Sequence, residues 1–213
     1  MLWSAKNGSV QIGNTRMRYA RFGRGSRAFV ILPGLSDGLA TVRGKALLLA
    51  QPYRAFLDRF TVCMFSRKDD MPPGYSIRDM AADQAEALRR LGIGRASVMG
   101  VSQGGMIAQY LAIDHPELVE RLVLAVTAPR ANAVVRENVE KWIGLAREGR
   151  HRELMIDTAE KSYSEDYLRG TAGSIRSSAR SAGRGATTAF WRTRAPYSGS
   201  TPAGSSAGSP APR

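Results

Sequence analysis

Between residues 9 and 169 the chain alternates short, continuous apolar runs with segments whose apolar positions recur every three or four residues. Two brief runs, 10–12 and 17–20, flank Gly13-Asn14. That pair tolerates the left-handed backbone of a tight turn, so the pattern predicts an opening hairpin. Further runs follow at 28–32, 61–65, 96–101 and 122–126, each bounded by turn residues. Such runs fit strands buried on both faces of a parallel sheet. Between them lie helical patterns. Residues 77–91 place Met80, Gln84, Ala87, Leu88 and Leu91 near one face, with Ser76 as the predicted N-cap and Gly92 as the stop. Residues 104–114 carry Ile107, Ala108 and Leu111, and a third helical pattern at 41–60 is interrupted by Pro52. Alternating strands and helices predict an α/β fold with a mostly parallel sheet and right-handed crossovers.

After the last apolar run, residues 134–147 and 152–169 read as two polar-faced helices, with Val135, Val139, Trp142 and Ile143 forming one apolar stripe. They are placed as a partial helical cap, 131–169, over a core at 1–130. Composition then changes. Residues 170–213 contain no Asp, Glu or Lys and consist mostly of Gly, Ala, Ser, Thr, Pro and Arg. Too few apolar residues remain to bury, so a disordered basic tail is expected there. A reading frame shifted near Arg169-Gly170 of a GC-rich gene would produce such a composition.

Charge adds little to this picture. The net +13 divides unevenly: six of the 31 basic residues lie in the acid-free tail, leaving 25 against 18 acids before it. A polyanion could meet Arg176, Arg180, Arg184, Arg192 and Arg194, with Phe190, Trp191 or Tyr197 available for stacking. These arginines are spread among Ser, Gly and Ala without a patterned patch, so no specific nucleic-acid partner is expected. No run approaches the ~20 apolar residues of a membrane span. Residues 1–11 lack an apolar leader, and Cys63 is the only cysteine, so a cytoplasmic location without membrane attachment is expected. No Cys/His cluster has metal-ligand spacing, and Gly92 and Gly94 precede a strand where a dinucleotide fingerprint would follow one. Neither a metal nor a cofactor is expected.

The sharpest chemical signal is Gly100-Val101-Ser102-Gln103-Gly104-Gly105, which follows a predicted strand and opens a predicted helix. A serine on so tight a strand–helix turn has its hydroxyl lifted above the sheet, and Gly100 and Gly104 fit where side chains would collide. The helix N-terminus offers backbone N–H groups to a developing oxyanion. A glycine-rich turn with an incidental serine is the plainer alternative, and the flanking elements argue against it. A second turn, Pro33-Gly34-Leu35-Ser36-Asp37-Gly38, leaves the 28–32 strand; the Leu35 and Gln103 N–H groups are the candidate oxyanion donors.

Residues 9–169 resemble the α/β-hydrolase superfamily, and its esterase-like members in particular. The resemblance is carried by the run into Pro33-Gly34, by Phe65-Ser66-Arg67-Lys68-Asp69 with Gly74-Tyr75-Ser76, by the Ser102 motif, and by His115-Pro116-Glu117 before the last strand. It implies an eight-stranded, mostly parallel sheet, a helical cap after the sixth strand, and a Ser-His-Asp/Glu triad. It also implies hydrolysis of an ester, amide, thioester or related bond through an acyl-enzyme, with a small acyl compound as substrate.

The family order is serine, acid, histidine, the last two after strands seven and eight. This sequence supplies neither strand. Its two histidines are His115, at a helix end, and His151, in the predicted cap. Both read first as solvated or structural. Asp37, Asp69 and Asp70 read as turn residues, and Asp157, Glu160 and Asp166 as members of cap helices. Catalytic histidine and acid are therefore not found, and impaired hydrolysis is expected. The alternatives are a non-catalytic binding protein, or a cofactor-free perhydrolase or oxygenase on the same fold. An incomplete sheet would also favour self-association. Trypsin is expected to trim residues 170–213 from their arginines before it cuts the core. Protection of Arg180 and Arg184 through long digestion would show that this segment folds.

Overall fold

The computed structural model describes residues 2–35 and 41–170. The strands are β1 (Lys6–Ile12), β2 (Thr15–Phe22), β3 (Arg27–Leu32), β4 (Phe60–Lys68), β5 (Ala96–Val101) and β6 (Val119–Ala125). They form one sheet in the order β1-β2-β4-β3-β5-β6. The opening hairpin is antiparallel, with Gly13 at φ 56° in its turn, and β2 runs antiparallel to β4. From β4 onward the neighbours are parallel: β3 with β4, β3 with β5, and β5 with β6. The α/β class and mostly parallel sheet thus follow the predicted alternation. The implied eight strands number six among the described residues.

The middles of β3, β4 and β5 are mainly apolar because both faces are covered. On one face Val30 and Leu32 of β3 and Cys63 and Phe65 of β4 pack with Met80, Leu88, Ile107 and Leu111. These come from α2 (Ile77–Arg90) and α3 (Gln103–Asp114). On the other face Ile31, Val62 and Met64 join Val42, Ala46, Ala50 and Leu57. The strand period of two sends successive residues into opposite layers. Burial also pushes the Cys63 thiol up to about 11.

Helix α2 begins as predicted. Ser76 accepts from the Asp79 N–H while the Asp79 carboxylate accepts from the Ser76 N–H, forming a reciprocal capping box. The helix is tied to the end of β4 by Lys68, whose Nζ donates to Tyr75 Oη at 2.5 Å and to Asp83 Oδ1 at 3.3 Å. Tyr75 in turn donates to Asp83 Oδ2 at 2.9 Å. Burial lifts the Asp83 carboxyl above its ordinary range, against the pull of Tyr75 and Lys68.

Two helical expectations need correction. Residues 41–60 do not form one helix. The α-helical part, α1, is only Ala46–Ala50, and it passes into a 3-10 segment, Gln51–Phe56, with Pro52 in its first turn. Proline lacks the N–H that would continue the α-helical ladder. Residues 152–169 are likewise divided. The cap helices are α4 (Ala133–Arg147), N-capped by Asn132, and α5 (His151–Ser162). Tyr163 is extended, at φ −127° and ψ 153°, before helical backbone resumes at 165–170.

Strand β6 departs from the predicted two-sided burial. Leu122, Val123 and Leu124 are 37%, 50% and 45% exposed, and the strand forms one edge of the described sheet. Its apolar residues suit an interior strand, but neither face is fully covered here. A full Leu or Val burial is worth ~1.5–3 kcal/mol, so an uncovered apolar edge favours association. The chain is expected to elute as a self-associated species and to bind a hydrophobic dye. Val123→Lys, which places a charge on that edge, should shift it toward monomer. A monomeric parent protein with no dye binding would show the edge to be harmless.

Candidate active site

The end of β5 turns into α3 at a single residue. Ser102 has φ 52° and ψ −121°, a left-handed conformation that a side-chain-bearing residue adopts only when its surroundings impose it. The constraint is visible. The Ser102 N–H donates to Ala125 O at the end of β6, at 2.9 Å. Its carbonyl accepts from the Gly105 N–H at 2.9 Å and from the Thr127 hydroxyl at 2.7 Å. The turn is therefore clamped between β5, the start of α3 and the segment after β6.

The flanking glycines are required by close approach. A Cβ on Gly100 would lie 2.5 Å from Gly104 O, as crowding across the turn predicts. One on Gly104 would lie 2.0 Å from Leu32 O and 2.5 Å from Pro33 O. Gly104 is thus limited chiefly by the end of β3, a neighbour in the sheet that the motif alone does not reveal. The Pro33-Gly34 turn reaches the serine itself: the Cβ position of Gly34 is 3.2 Å from Ser102 Cβ and 3.7 Å from Oγ. Leu35 follows directly, and its side chain packs with Trp142 and Ile143 against Leu145, Ala146 and Leu154 of the cap. The fold therefore brings together Ser102, Gln103 and the 33–35 turn, with the first turn of α3 directed at the same place.

Two residues of this neighbourhood went unremarked as site residues in the sequence. Thr127, in the turn after β6, donates to the Ser102 carbonyl. Arg67 lies almost buried at the end of β4 and donates from Nη2 to Pro33 O at 2.7 Å and to Gln103 Oε1 at 3.1 Å. An arginine closing an otherwise apolar run was the available signal for it, since a guanidinium enters a core only when its donors are matched.

The described histidines and acids have other partners or positions. His115 ends α3, with Nδ1 3.1 Å from Arg89 Nη2 and 3.8 Å from Glu117. His151 opens α5 in the cap. Asp69 pairs with Arg18 at 3.1 Å. Asp157 accepts from Lys141 and from the Trp142 indole, and the Lys141 hydrogen bond is the main cause holding its carboxyl below its ordinary range. Asp166 pairs with Arg169. Asp37 lies outside the described residues. A cavity of about 540 Å³ between α4 and α5 is lined by Lys141, Glu148, Arg150, Glu153, Asp157 and Glu160 among others, and by no residue of the serine turn. Among the described residues no group of His, Cys, Asp or Glu could hold a metal ion.

The family profile described as alpha/beta hydrolase fold matches residues 27–207. The chain belongs to the α/β-hydrolase fold family. Among curated relatives, a Serratia proteamaculans protein bearing the name carbamate hydrolase RutD is 41% identical over 69 residues, 32% of this chain and 26% of that protein. A fluoroacetate dehalogenase from a Burkholderia species is 31% identical over 140 residues, 64% of this chain and 45% of that protein. The chain thus spans less than half the length of these α/β-hydrolase relatives. Among solved structures, the enol-lactonase of Burkholderia xenovorans LB400 superposes with a TM-score of 0.73 at 18% identity, covering 89% of this chain and 72% of that one.

The clamp yields a stability prediction. Gly104→Ala forces a methyl group into the Leu32 and Pro33 carbonyls, a backbone clash with no flexible neighbour to yield. It should lower stability by about 3 kcal/mol or more. Urea unfolding followed by circular dichroism checks this, and an unchanged midpoint would mean the turn has more room than its geometry shows.

Proposed function

We propose that this α/β-hydrolase is of the serine type, built around Ser102 as nucleophile for a carboxylic ester or related acyl bond in the cytoplasm, with turnover impaired because no catalytic histidine or acid is identified. The carrying observation is the left-handed Ser102 backbone, clamped between β5 and α3 and facing the Pro33-Gly34 turn. In the proposed reaction the Ser102 hydroxyl gives its proton to solvent as Oγ bonds to the acyl carbon, and the carbonyl oxygen takes the negative charge. The Leu35 and Gln103 N–H groups stabilise that charge, and the alkoxide leaves as the C–O bond breaks. Water then hydrolyses the acyl-serine. The name of one relative, a carbamate hydrolase, agrees with acyl chemistry in that protein, while the fluoroacetate dehalogenase is named for cleavage of a carbon–halogen bond, and neither fixes a substrate here.

The base is the weak link. Neither histidine of the described chain hydrogen-bonds Ser102. Loss of such a base costs on the order of a millionfold in a well-studied serine protease. This placement also favours a second reading, an acyl-compound binder that keeps the oxyanion site without turnover. Both readings can be checked together. Turnover of p-nitrophenyl acetate should be indistinguishable between the parent protein and Ser102→Ala. A large excess of a fluorophosphonate should nevertheless label Ser102 slowly, forming the Oγ–P bond with loss of fluoride and of the hydroxyl proton to solvent. Absence of label at Ser102 by mass spectrometry would remove the nucleophile assignment. Ser102-dependent turnover would instead place a working base in the chain.

A further inference from the structure

Arg67 occupies an unusual place in the strand order. It closes β4, yet its Nη2 reaches across the end of β3 to the elbow that follows β5. The residue is 5% exposed, so its cation lies in a low-dielectric setting where each donated hydrogen bond has to be well directed. Two acceptors among the described residues belong to the two segments proposed to make the oxyanion site. Pro33 O lies two residues before the Leu35 N–H, and Gln103 Oε1 belongs to the residue whose own N–H is the other candidate donor. The Pro33 carbonyl is also one of the atoms that leave no room for a side chain at Gly104. One nitrogen therefore sets the distance between the β3 turn and the start of α3 at the point where they meet.

We propose that Arg67 is a positioning residue of the oxyanion site. By donating to Pro33 O and Gln103 Oε1 together, it holds the Leu35 and Gln103 N–H groups at the separation that a tetrahedral oxyanion needs. Its buried positive charge lowers the potential energy of that anion from behind. This rests on Ser102 as the nucleophile. Lysine is only a partial substitute, because its ammonium stops short of the place the terminal guanidinium nitrogen occupies and serves both acceptors less well.

Equilibrium binding of phenylboronic acid tests the proposal without requiring turnover. Ser102 Oγ adds to the trigonal boron, a B–O bond forms, the hydroxyl proton leaves to solvent, and the tetrahedral boronate carries the negative charge. In the full chain the tetrahedral ¹¹B signal should appear and be absent in Ser102→Ala. Arg67→Met should weaken the complex by about tenfold or more, as loss of support for an oxyanion donor does, and Arg67→Lys should fall between the two. A residue that merely stabilises the fold would lower the saturating amplitude and leave the binding midpoint unchanged. Wild-type affinity in Arg67→Met overturns the assignment. Where Arg67→Met does not fold by circular dichroism, Arg67→Lys decides, and wild-type affinity there overturns it as well. No Ser102-dependent signal in the parent protein removes the nucleophile reading, and the role of Arg67 with it.

Discussion

The rest of the site depends on a backbone bend held against its own preference. Ser102 sits in a left-handed conformation that costs of order 1–3 kcal/mol, and hydrogen bonds to its N–H and carbonyl, each worth roughly 1 kcal/mol net, offset that cost. The partners come from α3 and from the end of β6 and the turn after it, through Ala125 O and the Thr127 hydroxyl. β6 thus helps hold the Ser102 turn although it contributes no side chain to it. Its parallel register with β5, from Ala96–Val119 to Val101–Ala125, delivers those partners at the right height.

The same geometry divides the molecule into a well-determined half and an open one. On the side of β1 to β5, two apolar layers and the Lys68–Tyr75–Asp83 cluster fix the sheet against α1 and α2. On the side of β6 the outer edge is unpaired among the described residues, and Val126 just beyond it is left-handed at φ 44° and 85% exposed. The cap is joined to the site mainly through Leu35, whose side chain enters the small Leu145–Ala146–Leu154 cluster. A shift of the cap would therefore be felt first at a candidate oxyanion donor.

Much of this was legible in the sequence, for local reasons. The β5–Ser102–α3 turn could be read because its strain demands small residues at fixed offsets. The inner strands could be read because two-sided burial leaves continuous apolar runs. The start of α2 was written in Ser76, and its reciprocal partner Asp79 emerges in the structure. What escaped depended on neighbours distant in the chain. Gly104 is constrained by Leu32 and Pro33, Thr127 grips a residue 25 positions earlier, and Arg67 bridges 34 and 36 positions to its acceptors. The partners of these residues leave no local pattern, although the arginine itself stood out beside an apolar run. The exposure of β6 was hidden for a related reason, since its residues describe the company the strand suits and not the company it has.

Cys63 turns the layered sheet into its own indicator. The thiol lies within β4, paired in register with Val30 on one side and Arg21 on the other, and burial holds it in the protonated form up to about pH 11. Only the thiolate reacts appreciably with alkylating reagents. As the sole cysteine, it should stay silent while β2, β3 and β4 remain joined and become reactive when they part. The native sequence therefore carries a single-atom report on the opening of its central strands, with no engineered label needed.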